Sequence, residues 1–356
     1  MCYICVRMPQ QLTIKQIATL AGVSVGTVDR VLHNRGRVSP EAMAAVQAVL
    51  DTHTYRYNLH TSAVAFKKTK KSFSIAIAIP SSEDGEYWGI IRSGLEKAFH
   101  EYGDIAIKSE YVFFDQFNAL SCREAFESIA AKDYSAVIIG TNFVDETRNL
   151  CSKLDAKHIP YVFVDGRVSG TNPIATYLAD QEVCGRLLAR LMDGLTPKDE
   201  ELALLLPHRV GAKISNNSAI RMQAFKAYFA EHRKERIIRE GFYSAGNPEL
   251  IPSEISAFFE KYPRVGGISA VISTGYMISY ALSDIGKKPV VGGFDVTEGN
   301  ARCVREGTLD FLIDQHPEQQ GFNAVESLLH YLLYGAPDKT IREHTPIDIV
   351  FQENLG

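Results

Sequence analysis

From Phe73 onwards the chain repeats one pattern, a short unbroken apolar run followed by a stretch of helical character. The runs are SIAIAIP (74–80), YVFF (111–114), AVIIG (136–140), YVFVD (161–165), LALLLP (202–207), ISAVIST (268–274) and PVVGGFD (289–295), with an amphipathic segment over 88–102. A strand with no polar alternation is covered on both faces, so strands of this kind separated by helices predict parallel sheets flanked by helices. There are too many runs for a single six-stranded sheet. The spacing predicts two doubly wound lobes, with a ligand cleft outside the carboxyl ends of their strands.

Other function classes lose ground on the same reading. There is no G-x-G-x-x-G and no G-x-x-x-x-G-K-[ST], so no nucleotide cofactor is expected. The ten histidines are dispersed without an H-x-x-x-H pair or a nucleophile–base set, so neither a metal site nor an enzyme is expected. No apolar run reaches the roughly 18 residues of a spanning helix, and MCYICVRMPQQ is too short and too soon polar for a secretory signal. A cytoplasmic protein with no membrane partner is the expectation. The six cysteines are scattered, as reduced thiols would be; Cys2 and Cys5 form a C-x-x-C pair with nothing nearby to complete a zinc site. Met8 as the true start would make that pair incidental.

The formal net charge of −4 conceals an asymmetry. Residues 1–71 hold ten Lys and Arg against three Asp and Glu, a net +7, and the remainder holds 28 against 39, a net −11. A basic head on an acidic body is expected where one domain meets a polyanion and the other does not. Within the head, Thr13-x-x-Gln16 is a capping box that opens a helix with Ile14, Ile17, Ala18 and Ala21 on its apolar face. Gly22 supplies a tight break. Ser24 caps a second short helix through Leu32, and Ser39-Pro40-Glu41 starts a third that runs to about Thr52. Any small three-helix bundle could carry this spacing. The positive charge and the outer face of the second helix (Val25, Gly26, Thr27, Asp29, Arg30) tip it towards a helix-turn-helix that reads DNA.

The segment LTIKQIATLAGVSVGTVDRVLHNRGRVSPEAMAAVQAVL resembles the headpiece of the lactose/galactose repressor (LacI/GalR) family, through the pattern I-x-x-I-A-x-x-A-G-V-S-x-x-T-V-x-R-V-L. The resemblance implies that the second helix enters the major groove of double-stranded operator DNA, with Val25, Gly26 and Arg30 at base-reading positions. Arg30 would grip guanine O6 and N7, and Thr13, Ser24, Thr27 and Asn34 would lie near phosphates. Asp29 departs from the usual serine; it would accept from cytosine N4 or buttress Arg30. Gly26 has no side chain to read with. The following YRYNLHTSAVAFKKTKK matches the family's hinge, a short helix formed on DNA, capped by Asn58 and wedging Val64 into the minor groove. Val64 is smaller than the usual leucine, and Tyr57 stands where a proline is common. Lys67, Lys68, Lys70 and Lys71 would add a sequence-blind attraction.

The acidic body resembles the periplasmic sugar-binding fold that this family uses as its effector domain. Tyr87 and Trp88 would then face a sugar's apolar side, unless they pack in a lobe core. Asp115 would accept hydroxyls or cap the helix near Asn118. Asp165 matches the aspartate of V-D-R, with Gly166 in the arginine slot and Arg167 one place late. Asp180 matches a hinge-side acid or caps a helix. Arg221 matches the arginine of R-x-x-G-F, Asp295 the strand-end carboxylate of VVGGFD, and Gln315 a polar cleft position. Asp295 would otherwise cap the next helix, a task open to Thr297. Gly275 replaces an expected asparagine, leaving Thr274 or Tyr276 to supply that contact.

The expected organisation is therefore an all-α helix-turn-helix headpiece (1–57), a hinge and basic linker (58–72), and an α/β two-lobe ligand-binding and dimerisation domain with doubly wound parallel sheets (73–356). The expected function is a regulator of transcription, of the repressor kind, in which a carbohydrate-like effector controls operator affinity in a homodimer. A C-terminal ENLG without a leucine heptad leans against coiled-coil tetramers. The alternative is a binding protein of the periplasmic sugar type without DNA function.

Overall fold

The computed structural model describes residues 12–32, 36–52, 72–103, 105–211, 214–232, 235–335 and 340–356. The chain divides into two compact units, Met1–Thr69 and Lys70–Gly356.

In the first unit three helices, α1 (Ile14–Ala21), α2 (Val25–Leu32) and α3 (Pro40–Thr52), enclose a small core of Leu12, Ile17, Ala18, Val28 and Val46. Thr13 caps α1: its hydroxyl accepts from the Gln16 amide at 3.3 Å while its own amide donates to Gln16 Oε1 at 2.8 Å. Gly22 takes φ +65°, a left-handed turn that a side chain would strain, and it sends the chain directly into α2.

The second unit holds two six-stranded sheets. The first lobe contains β1 (Phe73–Pro80), β2 (Ile107–Phe114), β3 (Ala136–Gly140), β4 (Tyr161–Val164) and β5 (Ala175–Leu178), joined by α4 (Tyr87–Glu101), α5 (Ala119–Ala130) and α6 (Val144–Ala156). The second lobe starts with α7 (Gln181–Leu195) and β6 (Glu201–Pro207). It continues through α8 (Asn216–His232), β7 (Ile238–Tyr243), α9 (Ile251–Lys261), β8 (Val265–Ala270), α10 (Gly275–Asp284), β9 (Val290–Phe294), α11 (Glu298–Glu306) and β10 (Phe311–Asp314). The chain then returns to the first lobe with α12 (Pro317–Tyr334) and β11 (Ile341–His344), and ends in the second with β12 (Asp348–Val350). The strand orders are β11-β5-β4-β3-β1-β2 and β12-β10-β9-β8-β6-β7; all pairings are parallel except β12 with β10. Three segments thus cross between the lobes, at 179–180, 315–316 and 345–347.

The apolar runs fall where two-sided burial requires them. Ile75 to Ile79 are fully buried in β1, as are Val137, Ile138 and Ile139 in β3, each large side chain contributing about 1.5–3 kcal/mol. The ISAVIST run leaves its strand early, because β8 ends at Ala270 and residues 272–274 line the cavity beyond its carboxyl end. Strands β5, β7, β10, β11 and β12 lie outside the runs; β7 alternates buried and open positions, and β11 is an exposed edge. The returning helix α12 packs closely on α4. A β-carbon at Gly94 would lie 2.0 Å from the Glu318 carbonyl oxygen, and one at Gly321 2.2 Å from that of Ile91, so glycine on both helices permits the backbones to meet.

Candidate functional site: a recognition helix and an interlobe cleft

In the headpiece, Ser24 caps α2, its hydroxyl accepting from the Thr27 amide at 3.1 Å and lying 2.9 Å from the Thr27 hydroxyl. With Val28 turned inward, Ser24, Val25, Gly26 and Arg30 are left exposed on the outer face. Val25 is 46% exposed. The Arg30 guanidinium folds back along the helix, Nε donating to the Gly26 carbonyl at 3.1 Å and Nη2 to the Thr27 hydroxyl at 3.4 Å. Thr27 and Asp29 are half-buried beside it. Asn34, Asn58 and Val64 lie outside the described residues.

In the second unit a cavity of about 380 Å³ opens at the carboxyl ends of both sheets, a size typical of small-molecule sites. From the first lobe come Ser81 and Ser82 after β1, Glu86, Tyr87 and Trp88 at the start of α4, Gln116 and Phe117 after β2, Asn142 after β3 and Asp165 after β4. From the second come Arg209 after β6, Ser215, Asn217 and Arg221 at the start of α8, Ser273, Thr274 and Tyr276 around the start of α10, and Gln315 after β10. The ends of β1, β2, β3, β4, β6, β8 and β10 each supply a polar group, and β7 supplies Ala245.

The centre of the site is a hydrogen-bonded chain through the crossover segments. Arg221 is 4% exposed. It donates from Nε to Gln181 Oε1 (2.6 Å), from Nη1 to the Val271 carbonyl (2.8 Å) and from Nη2 to Gln315 Oε1 (2.6 Å), and its guanidinium lies 3.9 Å above the Phe294 ring. Gln315 Nε2 donates to both oxygens of Asp295, at 3.0 and 2.9 Å. Its carbonyl accepts from Thr345 Oγ1 and Gln320 Nε2, and Gln320 Oε1 in turn accepts from the Asp165 amide. The Tyr87 hydroxyl donates to the Asp165 carboxylate, and Asn217 Nδ2 to the Asp165 carbonyl. Asp165 holds φ +68° and Asp295 φ +61°, equivalent turns at the ends of equivalent strands, a conformation that aspartate tolerates better than most residues. Burial pushes the Asp165 carboxyl up to about 6 against the opposing effects of Tyr87, Arg221 and Asn217. Burial and the neighbouring Asp314 charge push Asp295 up to about 7.

Of the eight residues expected in an effector site, Tyr87, Trp88, Asp165, Arg221 and Gln315 line the cavity and three do not. Asp115 is exposed outside it: its Oδ1 accepts from the Phe117 amide at 2.7 Å, closing a turn that presents Gln116 and Phe117 in its place. Arg167 is exposed and turned away, contributing only its carbonyl to Asn216 Nδ2. Gly166 holds the turn because a β-carbon there would lie 2.3 Å from Thr141 Oγ1, which leaves no room for the arginine expected in that slot. Asp295 is fully buried behind Ser273 and Gln315, positioning them without reaching the opening. Helix capping falls to Thr297 for α11 and to Asp180 for α7. Where an asparagine was expected, Gly275 packs against Leu309, and Thr274 and Tyr276 line the cleft. Asn142, Arg209 and Asn217 were not anticipated, since polar residues in loops carry no periodic signal.

Residues 13–58 match the model for bacterial regulatory proteins of the lacI family, and residues 75–336 match that for a periplasmic binding protein domain. The chain belongs to the LacI family, with a periplasmic-binding-protein domain behind its helix-turn-helix. The family is one of transcription regulators, not of enzymes. This LacI-family chain is 25% identical over 234 residues to the ribose operon repressor of Lactococcus lactis, covering 65% of its own length and 63% of that relative. It therefore spans somewhat less than two thirds of that curated relative. A LacI transcriptional regulator structure from Bacteroides fragilis superposes with a TM-score of 0.75 at 26% identity, covering 80% of this chain and 98% of that one. The solute binding protein of Agrobacterium vitis, solved with α-D-tagatopyranose, shares the fold with a TM-score of 0.69 at 20% identity, over 79% of this chain and 95% of that one. Among the described residues no helix is long and apolar enough to cross a membrane.

Proposed function

We propose that the chain regulates transcription from a cytoplasmic homodimer, its headpiece binding double-stranded operator DNA and its cleft a small polyhydroxylated ligand that sets operator affinity. One observation carries the reading: donors and acceptors from both lobes converge on a single cavity and are tied through Gln315 to the segments that cross between them. A ligand that touches both lobes binds one lobe arrangement better than another, and only such differential binding shifts an equilibrium. Asp165 and Glu86 suit sugar hydroxyls, which carboxylates accept readily; Tyr87 and Trp88 offer the apolar platform, and Arg221 the donors its three internal hydrogen bonds leave over, with Gln315 holding it in place. In the headpiece, Arg30 swings from Gly26 to a guanine edge, Val25 and Gly26 lie against neighbouring bases, and Thr13, Ser24, Thr27 and Asn34 meet phosphates. Asn58 and Val64 belong to the hinge over 58–72, and a two-fold dimer places two headpieces on a pseudo-palindromic site.

The test is fluorescence anisotropy with labelled duplexes from the gene's own upstream region, with and without a panel of sugars and sugar derivatives. Salt-sensitive binding to a preferred duplex, shifted about 5–150-fold by one class of sugar, is expected from an ordinary coupling energy. Failure to bind any duplex, or equal affinity whatever is added, overturns the proposal.

A further inference from the structure

Two arginines line the cleft, and they differ in what their guanidinium groups already hold. Arg221 spends three nitrogens on neutral acceptors and feels the charges of Asp165 and Asp295. Arg209 stands two residues beyond β6, its guanidinium 4.4 Å over the Phe143 ring. Only its Nη2 finds acceptors among the described residues, Asn142 Oδ1 at 2.8 Å and the Asn142 carbonyl at 3.5 Å. Its Nε is buried without a partner, and among the described residues it forms no ion pair. Asp115 acts on it from beyond ion-pair distance, with one oxygen already accepting from Phe117. Burial lowers the Arg209 guanidinium to about 10, as expected of a cation removed from water without matching negative charge.

The group is held ready. Val210 donates its amide to the Phe117 carbonyl at 2.7 Å and accepts from the Ala119 amide at 3.0 Å, a parallel bridge between the lobes. Gly211, at φ +81°, lies so close to α5 that a β-carbon would meet that of Ala119 at 2.8 Å. The acids of the cavity, Glu83, Glu86 and Asp165, lie on the loop before α4 and at the end of β4. Burial raises Glu86, which shares a hydrogen bond with Tyr276. The cavity thus combines several acids, suited to hydroxyls and hostile to an anion, with one under-neutralised arginine.

We infer that the ligand is an acidic sugar derivative whose carboxylate or phosphate sits on the free edge of Arg209 while its hydroxyls face Asp165 and Glu86. This rests on the cleft being a sugar site. The experiment is calorimetric titration of matched pairs: glucose with glucuronate and gluconate, galactose with galacturonate, glucose with glucose 6-phosphate, and ribose with ribose 5-phosphate. The charged member of at least one pair binds about tenfold tighter or better, the gain of one charge-assisted contact; the uronate and phosphate arms tell which anion is read. In Arg209→Gln that preference falls towards unity, and in Arg209→Lys, which keeps the charge and loses the fork, it survives in part. Neutral sugars binding as well as their acids in every pair, or a preference that persists in Arg209→Gln, overturns the inference and leaves the sugar cleft standing. Binding of neither member of any pair removes both.

Discussion

Asp165 offers the sharpest test of the site's electrostatics. Its carboxyl titrates near 6 in the folded chain, against roughly 3.9 when unfolded. An acid whose folded value is raised makes the native state bind the proton more tightly, so stability declines as pH rises from about 4 to about 6 and the loss is complete above that. A shift of about two units corresponds to about 3 kcal/mol at most. Asp165→Asn removes the charge yet keeps an oxygen to accept from the Tyr87 hydroxyl. The variant therefore matches the wild type near pH 4 and gains on it up to about 3 kcal/mol by pH 7. Urea unfolding of both proteins at four pH values between 4.5 and 7.5 measures the difference directly. A difference that stays flat, or narrows as pH rises, refutes the claim that this carboxylate is held against its desolvation.

Arg221→Met leaves acceptors of Gln181, Gln315 and Val271 without their donor in a closed interior. It lowers unfolding stability by about 3 kcal/mol or more and abolishes ligand binding; a loss under about 1 kcal/mol in urea melts contradicts the network described. Trp88 is the only tryptophan and lines the cleft, so ligand titration changes intrinsic emission in the wild type and leaves no such signal in Trp88→Phe. Arg30→Ala reduces operator affinity by about 1–3 kcal/mol while barely altering affinity for unrelated duplex; equal losses on both, in competition gel shifts, assign Arg30 to the phosphates.

What was legible in the sequence follows from which physical signals are periodic. The runs at 74–80, 136–140 and 202–207 announce strands because burial on both faces removes the polar alternation of a half-exposed strand. The capping boxes and caps at Thr13, Ser24 and Thr297 announce helix starts because an amide must find a partner there. Strand β11, reading IREH, is open to solvent and carries no such mark. The site divides along the same line. Asp165, Arg221 and Gln315 stand at strand and helix ends, where position fixes direction. Asp295 stands at an equivalent end, but Ser273 and Gln315 lie over it, a relation between β8, β9 and β10 that no local pattern encodes. Arg167 lies outside the cavity lining by one residue of register, since Thr141 occupies the space beside Gly166. Arg209 and Asn142 meet only because two loops from different lobes converge.

The triple passage of the chain between the lobes bears on how the protein is made. One sheet gains its outermost strand only when residues 341–344 emerge and the other only with 348–350. Both halves therefore leave the ribosome with a raw margin, and neither can be finished, excised or shuffled as a contiguous piece. A chain cut before residue 341 would lose an edge strand from each of the two β-sheets at once, because residues 341–350 close both.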